Sequence, residues 1–137
     1  MFNIFSKKIN QNIFNGIVDF HNHVLPGIDD GCKNVKESLK MLNIFNYLGI
    51  KKIIPSPHIY TELYPNNKKS IKSAFEKLKS NKEFIAQKVI INSYSAEYLI
   101  DDIFLNKLKN KDQLLCPFKN HVLIEIPLHG DVLILNE

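Results

Sequence analysis

The sequence predicts an α/β fold in which parallel strands alternate with helices. Three observations predict it. Short apolar segments rich in β-branched residues recur along the 137-residue chain, amphipathic helical segments separate them, and a histidine or carboxylate stands near the end of each apolar segment. The resulting order, β-α-β-α-β-α-β, favours a parallel sheet with right-handed crossovers. The length and the 45% hydrophobic content fit one globular domain.

The first predicted strand and helix come early in the chain. Ile17–His21 is short, apolar and β-branched at its start, which predicts a strand. Residues 22–33 contain proline and glycine and are expected to form a loop. Asn34 followed by Glu37 resembles a capping box, and Gly49 is suited to end the helix. The apolar residues at helical spacing between these ends are Val35, Leu39, Leu42, Phe45 and Leu48.

The second and third strands are predicted over Ile50–Ser56 and Lys88–Tyr94. The second strand leads into a Pro-His pair that contains His58, and the third leads into an Ala-Glu-Tyr sequence that contains Glu97. A helix is predicted between these strands because apolar residues recur there at helical spacing. These residues are Ile71, Ala74, Phe75 and Leu78.

The last predicted elements are a third helix and a fourth strand. Asp101 is suited to cap a helix that extends to about Asn110, and His121–Ile126 is the fourth strand. Catalytic groups in β/α barrels cluster at the C-terminal ends of the strands, so side chains at these ends are expected to converge. The residues at strand ends that carry metal-ligand side chains are His21, His23, His58, Glu97 and Glu125.

The segment VDFHNHVLPGIDDG carries the most informative motif of the chain. Side chains two residues apart in a strand point to the same side, so Asp19, His21 and His23 are expected to line one face. Val18 and Phe20 are then expected to pack on the other face. Two imidazoles side by side are suited to bind a divalent metal ion such as zinc or manganese.

Two neighbouring carboxylates follow these histidines. The Pro-Gly turn allows Asp29 or Asp30 to come back over the histidines; we expect Asp30 to be the ligand and Asp29 to be a local capping residue. Simpler alternatives remain open, since His58 could be an ordinary turn residue and Glu97 could pair with a lysine. Glu125, between two isoleucines, would be an unpaired charge in a buried strand unless it bound a metal.

The charge of the chain does not favour a nucleic-acid partner. The net charge is +4, but all 18 basic residues are lysine and none is arginine. Arginine is the usual residue for bidentate contacts with phosphates and bases. The lysines are scattered over predicted helix surfaces, so we expect no nucleic-acid binding.

The two cysteines, Cys32 and Cys116, do not form a disulfide framework and fit a reducing cytosol. No apolar run is long enough to span a bilayer, and no signal peptide is visible. We therefore expect a cytoplasmic protein without a membrane span. The sequence leaves the oligomeric state undetermined.

The histidine motif, the later Pro-His pair and the Ala-Glu-Tyr sequence together resemble the polymerase and histidinol phosphatase (PHP) superfamily. They are most similar to its bacterial branch of metal-dependent protein tyrosine phosphatases, which regulate capsule and exopolysaccharide synthesis. The resemblance implies a distorted, TIM-like (β/α)7 barrel. Residues 1–16 would then be a leader and residues 17–137 the N-terminal part of the barrel, with the remainder expected beyond residue 137.

The resemblance also implies a cluster of up to three divalent metal ions, with manganese favoured over zinc or iron. His21 and His23 would bind the first ion, and Glu97 would bridge the first and second. Glu125 would complete the second ion's site. The third ion would be held by Asp30 and His58.

The implied activity is the hydrolysis of phosphotyrosine by metal-activated water, with the phosphorylated tyrosine tail of a bacterial tyrosine kinase as substrate. A cysteine-dependent phosphatase is not expected, because its phosphate loop needs an arginine and the chain has none. Two alternatives stay open: a small-molecule phosphoesterase of the histidinol-phosphatase type, and a non-catalytic remnant or interaction module. The other chemistry-bearing side chains are expected to serve packing or the surface; they are Tyr64, Tyr98, His121 and His129.

Overall fold

The computed structural model describes residues 12–127. Most of the expected leader, and His129, lie outside the described residues. The described part of the chain contains three α-helices, one 3-10 helix and five short strands. In chain order they are β1 (Val18–Asp19), α1 (Val35–Leu48), β2 (Lys52–Ile53), β3 (His58–Ile59), α2 (Lys68–Lys79), the 3-10 helix (Phe84–Ala86), β4 (Glu97–Leu99), α3 (Asp102–Lys109) and β5 (Leu123–Glu125).

Every pairing between two of these five strands is parallel, as predicted. β1 pairs with β2, and β4 lies between β3 and β5. Backbone hydrogen bonds extend this order beyond the strands, since Ser56 N–H donates to the Asn22 carbonyl and Ser95 N–H donates to the Pro55 carbonyl. The described residues therefore form a mixed α/β fold with parallel strands.

The predicted second strand, Ile50–Ser56, is interrupted in the structure. Only Lys52–Ile53 is a regular strand, and pairing resumes at His58–Ile59. Pro55 and Pro57 lie between these two segments. Proline has no backbone N–H and cannot donate to a ladder, so it separates β2 from β3.

The predicted third strand was wrong in its position. Lys88–Tyr94 is not a regular strand and forms a single bridge, between Ile90 and Lys52. The chain there is extended, because Val89 and Ile91 are buried while Ile90 is exposed, which is the alternation of extended backbone. Regular pairing begins later, in β4.

The apolar side chains beside the first motif are more exposed than expected. Val18 is 36% exposed and Phe20 is 39% exposed, so the prediction that both pack on the face opposite the histidines is wrong for the described residues. Phe20 instead contacts Phe118 edge to face, with ring centroids 4.8 Å apart. The first strand is also shorter than predicted, since His21 lies outside β1.

The ends of α1 agree with the sequence analysis. The side chain of Asn34 accepts a hydrogen bond from the Glu37 N–H, and Gly49 adopts φ 94° in the left-handed region. The capping box itself differs, because the Glu37 carboxylate accepts from the Lys33 N–H at 3.0 Å. The buried face of α1 packs into the hydrophobic core. The largest fully buried apolar side chains of this core are Leu25, Leu42, Ile53, Ile71, Leu78 and Val24.

The third helix begins next to its predicted cap. Asp101 accepts from the Phe104 N–H at 2.7 Å, and the helix ends at Lys109, close to the predicted Asn110. Within residues 12–127, every helix is too short or too polar to traverse a lipid bilayer.

Candidate metal centre

Three histidines surround one oxygen of a buried glutamate. Oε2 of Glu97 lies 3.0 Å from His21 Nε2, 3.3 Å from His23 Nε2 and 3.5 Å from His58 Nδ1. Glu97 is only 4% exposed, and its ion pairs in the described part of the chain are with histidines. The alternative, in which Glu97 pairs with a lysine, is therefore not observed in the described residues.

All six residues expected as ligands lie close together in the structure. Their donor atoms form three overlapping groups, each with atoms within 4.8 Å of one another. Glu97 belongs to two of the groups, and so do His23 and His58. The groups are His21, His23 and Glu97; His23, Asp30 and His58; and His58, Glu97 and Glu125.

The register of β3, β4 and β5 brings the candidate ligands His58, Glu97 and Glu125 together. β3 and β4 pair His58 with Glu97, and β4 and β5 pair Leu99 with Glu125. Nδ1 of His58 lies 3.5 Å from Oε2 of Glu125. His58 and Glu97 lie at the starts of their short strands, not after the strands as the sequence analysis expected.

The carboxylate of Asp30 lies at the exposed side of the cluster. Its Oδ1 is 3.5 Å from His58 Nε2 and 3.9 Å from His23 Nδ1. The loop that carries Asp30 packs tightly, because a Cβ added at Gly31 would overlap the backbone carbonyl and the Cβ of His23. Gly31 therefore allows the loop to lie directly against His23.

Asp29 has a larger role than the local turn that the sequence suggested. Its carboxylate accepts from the Gly31 N–H at 3.0 Å, a local contact of the kind expected of a capping residue. It also accepts from His23 Nδ1 at 2.8 Å and from the His58 N–H at 3.1 Å. No sequence signal predicted the contact with His58, which lies 29 residues away.

The pKa values of this pair shift in opposite directions. The hydrogen bond that His23 donates to the Asp29 carboxylate is the main reason why the pKa of His23 is raised; burial of the ring opposes it. Burial alone would raise the pKa of Asp29, but the hydrogen bonds from His23, Gly31 and His58 outweigh it, so the pKa is lowered. Asp29 is therefore held as a carboxylate inside the protein.

Asn66, which was not predicted from the sequence, also contacts the loop that carries Asp29 and Asp30. Its side-chain amide donates to the Ile28 carbonyl at 2.7 Å and to the His58 carbonyl at 2.9 Å. Its amide oxygen accepts from the Ser70 hydroxyl in the first turn of α2. The only sequence signal was the Asn-Asn pair before α2, where the second asparagine, Asn67, is the helix cap.

The remaining aromatic and histidine side chains behave as expected. The ring of Tyr64 stacks on His58, with centroids 5.5 Å apart and 12° between the planes. The hydroxyl of Tyr98 accepts from the Leu115 N–H at 2.8 Å, and its ring packs against Phe104. His121 is exposed and contacts the carbonyl of Lys119 through Nδ1.

The donor set fits divalent metal ions. Imidazole nitrogens and carboxylate oxygens are ligands for zinc, manganese and iron. A thiolate is not part of the site: Cys32 is 3% exposed, lies against Met41, and burial raises the pKa of its thiol. The cluster can therefore hold divalent metal ions through nitrogen and oxygen ligands.

Comparison with known proteins gives a consistent result. Residues 17–135 match the protein family described as "Capsular polysaccharide synthesis, CpsB/CapC". The putative tyrosine-protein phosphatase CapC of Staphylococcus aureus is 31% identical over 112 residues, which cover 81% of this chain and 43% of CapC. The tyrosine-protein phosphatase YwqE of Bacillus subtilis is 32% identical over 73 residues, which cover 53% of this chain and 28% of YwqE.

A solved structure resembles the fold as well. A chain from the crystal structures of YwqE from Bacillus subtilis and CpsB from Streptococcus pneumoniae, described as unique metal-dependent tyrosine phosphatases, superposes with a TM-score of 0.71. The match has 26% sequence identity and covers 85% of this chain and 47% of the solved chain. The chain thus spans less than half the length of each of these relatives.

Proposed function

The chain belongs to the CpsB/CapC family of capsular polysaccharide synthesis proteins, and from that premise we propose that it carries part of the metal centre of a metal-dependent protein tyrosine phosphatase. One observation carries the proposal: three imidazole nitrogens converge within 3.5 Å on a single oxygen of the buried Glu97. The relatives that are named tyrosine-protein phosphatases support the activity.

The three overlapping groups suggest how the residues would share up to three ions. We assign His21 and His23 to the first ion, with Glu97 bridging the first and second. Glu125 completes the second ion's site, where His58 also lies close enough to contribute. The third ion would be held by Asp30 and His58. Manganese is our first choice, and the nitrogen and oxygen donors would also accept zinc or iron.

The substrate we propose is phosphotyrosine in the tail of a bacterial tyrosine kinase. Divalent ions at this site would supply positive charge to the phosphate oxygens and acidify a neighbouring water. The protein's own contribution is to orient the ligands: Glu97 and Asp29 are buried, and Tyr64 stacks against the His58 ring. A groove of about 460 Å³ is lined by three of the candidate ligands and by mostly apolar or aromatic residues; these are Asp30, His58 and Glu125, with Tyr60, Leu63, Tyr64, Leu99 and Pro127. An aromatic ring attached to a phosphate has the polarity that this groove would accept.

Two wider features complete the proposal. Residues 17–137 would form the N-terminal part of a TIM-like barrel, which is supported by five parallel strands and by the likeness to the solved phosphatase structure. A cytoplasmic location is supported by the free thiols of Cys32 and Cys116.

The decisive experiment measures manganese binding and phosphate release together. Calorimetric titration of the metal-free chain with Mn²⁺ is expected to show binding, and Mn²⁺ is expected to raise the melting temperature. Release of phosphate from a phosphotyrosine peptide tests the activity. His21→Ala should weaken Mn²⁺ binding and lower any turnover, whereas His121→Ala, a change at an exposed histidine outside the cluster, should alter neither.

Failure to bind Mn²⁺, Zn²⁺ or Fe²⁺ would refute the metal centre and favour a non-catalytic interaction module. Metal binding with faster hydrolysis of histidinol phosphate than of the phosphotyrosine peptide would favour the small-molecule phosphoesterase. Metal binding without turnover of either substrate would remove the activity from this chain and leave the metal centre standing.

A further inference from the structure

We propose that Asp29 is a positioning residue that fixes two of the candidate metal ligands, His23 and His58, through one carboxylate. The inference rests on the proposed function, since it concerns ligands of the proposed metal centre. Asp29 itself is not assigned to any ion, and it is absent from the three groups of donor atoms that lie close together.

The environment of Asp29 is that of a buried charge with a full set of partners. Its side chain is 0% exposed, and three N–H groups donate to it, from His23, Gly31 and His58. A buried carboxylate is costly unless it is hydrogen-bonded in this way. The hydrogen bond from His58, which lies 29 residues away, makes Asp29 a link between two segments and not merely the closure of its own turn.

The contact with His23 decides which nitrogen of that ring can bind a metal. A neutral imidazole carries one N–H, so a proton held on Nδ1 by Asp29 leaves the lone pair on Nε2. Nε2 of His23 is the atom that faces Glu97, at 3.3 Å. Carboxylates that hold a metal-binding histidine in this way fix both its tautomer and its ring orientation.

One consequence concerns the number of ions that His23 can serve. With Nδ1 occupied by Asp29, only Nε2 is left for a metal, and it lies on the Glu97 side of the ring. His23 would then belong to the ion shared with His21 and Glu97, and it would not contribute a second nitrogen toward Asp30.

The contact with His58 extends the effect to a second strand. The same oxygen, Oδ2, accepts from His23 Nδ1 and from the backbone N–H of His58. That N–H lies at the first residue of β3. The rings of His23 and His58 have centroids 4.5 Å apart, so a shift of Asp29 would change the distance between two ligands at once.

Asp29→Asn is the most specific test, because it keeps the shape of the side chain and removes one of its two acceptor oxygens. The asparagine side chain has one oxygen and one NH₂ group in place of two carboxylate oxygens. The NH₂ group must therefore face one of the three N–H donors, or it must donate to a His23 ring that has changed to the other tautomer. The matched control is Asp101→Asn, because Asp101 also accepts a backbone N–H but lies outside the cluster and asparagine is an equally good helix cap.

The experiment compares the full chain with both variants by two measurements. Calorimetry with Mn²⁺ gives the affinity, and we expect Asp29→Asn to weaken it about 10- to 100-fold while Asp101→Asn leaves it unchanged. Nitrogen-15 NMR of the metal-free chain, at a pH where His23 is neutral, gives its tautomer. We expect the proton on Nδ1 in the unmodified chain and a larger Nε2-protonated population in Asp29→Asn.

Three results separate the outcomes. A proton on Nε2 of His23 in the unmodified chain would overturn the inference even if Asp29→Asn does not fold. Unchanged Mn²⁺ affinity in a folded Asp29→Asn variant would overturn it as well. Absence of metal binding in the unmodified chain, with the Nδ1 tautomer in place, would instead refute the proposed function and leave the role of Asp29 in orienting His23 intact.

Discussion

His58 and Glu97 lie opposite each other in the parallel pairing of β3 and β4, with Nδ1 and Oε2 3.5 Å apart. Neighbouring parallel strands lie about 4.8 Å apart, so side chains at paired positions on one face meet without help from a loop. The register of β3 and β4 therefore sets the centre of the site. The loop after His23 adds the carboxylate of Asp30 at its exposed side.

The shared position of Glu97 predicts unequal effects of two glutamate changes. Glu97 belongs to two donor groups and Glu125 to one. We expect Glu97→Gln to weaken the binding of two ions and Glu125→Gln that of one, by at least about tenfold per ion, or about 1.4 kcal/mol. Mn²⁺ titration with elemental analysis of the bound metal measures both numbers.

The control for these changes is Glu83→Gln, because Glu83 is exposed and lies outside the cluster. It should bind as much Mn²⁺ as the unmodified chain. Equal losses in Glu97→Gln and Glu125→Gln would contradict a bridging role for Glu97.

A second prediction concerns Asn66. Asn66→Asp replaces the amide that donates to the carbonyls of Ile28 and His58 by a group that accepts only. Two carbonyls then lose their donor and face a negative charge, so we expect the free energy of unfolding to fall by about 2–3 kcal/mol. Urea unfolding measures this, and Mn²⁺ affinity should fall with it because the Asp30 loop is released.

The neighbouring residue supplies the comparison. Asn67→Asp keeps a good helix cap, since the side chain of Asn67 only accepts from backbone N–H groups of α2. This variant should unfold at nearly the same urea concentration. If both changes cost the same, the specific role of Asn66 is wrong.

Gly31 gives a steric prediction. A Cβ there would overlap main-chain atoms of His23, which cannot move aside as a flexible side chain would. We expect Gly31→Ala to cost about 1–3 kcal/mol of unfolding free energy and to weaken Mn²⁺ binding.

Gly16→Ala separates this effect from ordinary backbone strain. Gly16 has φ 87° and no atom within 4 Å of the added Cβ, so it should cost about 1–2 kcal/mol through conformation alone. Mn²⁺ affinity should stay unchanged in Gly16→Ala. A loss of affinity in this variant would show that a general loss of stability is enough to weaken the site.

Two buried serines allow a paired test of hydrogen bonding. The hydroxyl of Ser56 accepts from the Asn22 N–H at 3.1 Å, so Ser56→Ala leaves a buried donor unpaired and should cost about 1–3 kcal/mol. The buried hydroxyl of Ser95 has no hydrogen-bond partner among residues 12–127. Ser95→Ala should therefore be neutral within about 0.5 kcal/mol or stabilising. Thermal unfolding of the two variants side by side decides this, and a large loss in Ser95→Ala would mean that its hydroxyl is satisfied.

Local patterns determined much of this protein. The side chain of Asn34 and the left-handed backbone of Gly49 act on groups only a few residues away, so the sequence alone located both ends of α1. The histidine motif and its resemblance to PHP phosphatases named the six residues that the structure brings together. These signals depend on residue type and near spacing, which a sequence states directly.

The tertiary structure decided what depends on distant partners. Regular pairing forms at Glu97–Leu99 and not at Lys88–Tyr94, because register depends on the whole neighbouring strand. The roles of Asp29 and Asn66 arise from hydrogen bonds to His58 and Ile28 across as many as 38 residues. Burial and long-range hydrogen bonding exist only once the chain is folded, so the sequence indicated only a local role for Asp29, whereas in the structure its carboxylate accepts hydrogen bonds from both His23 and His58.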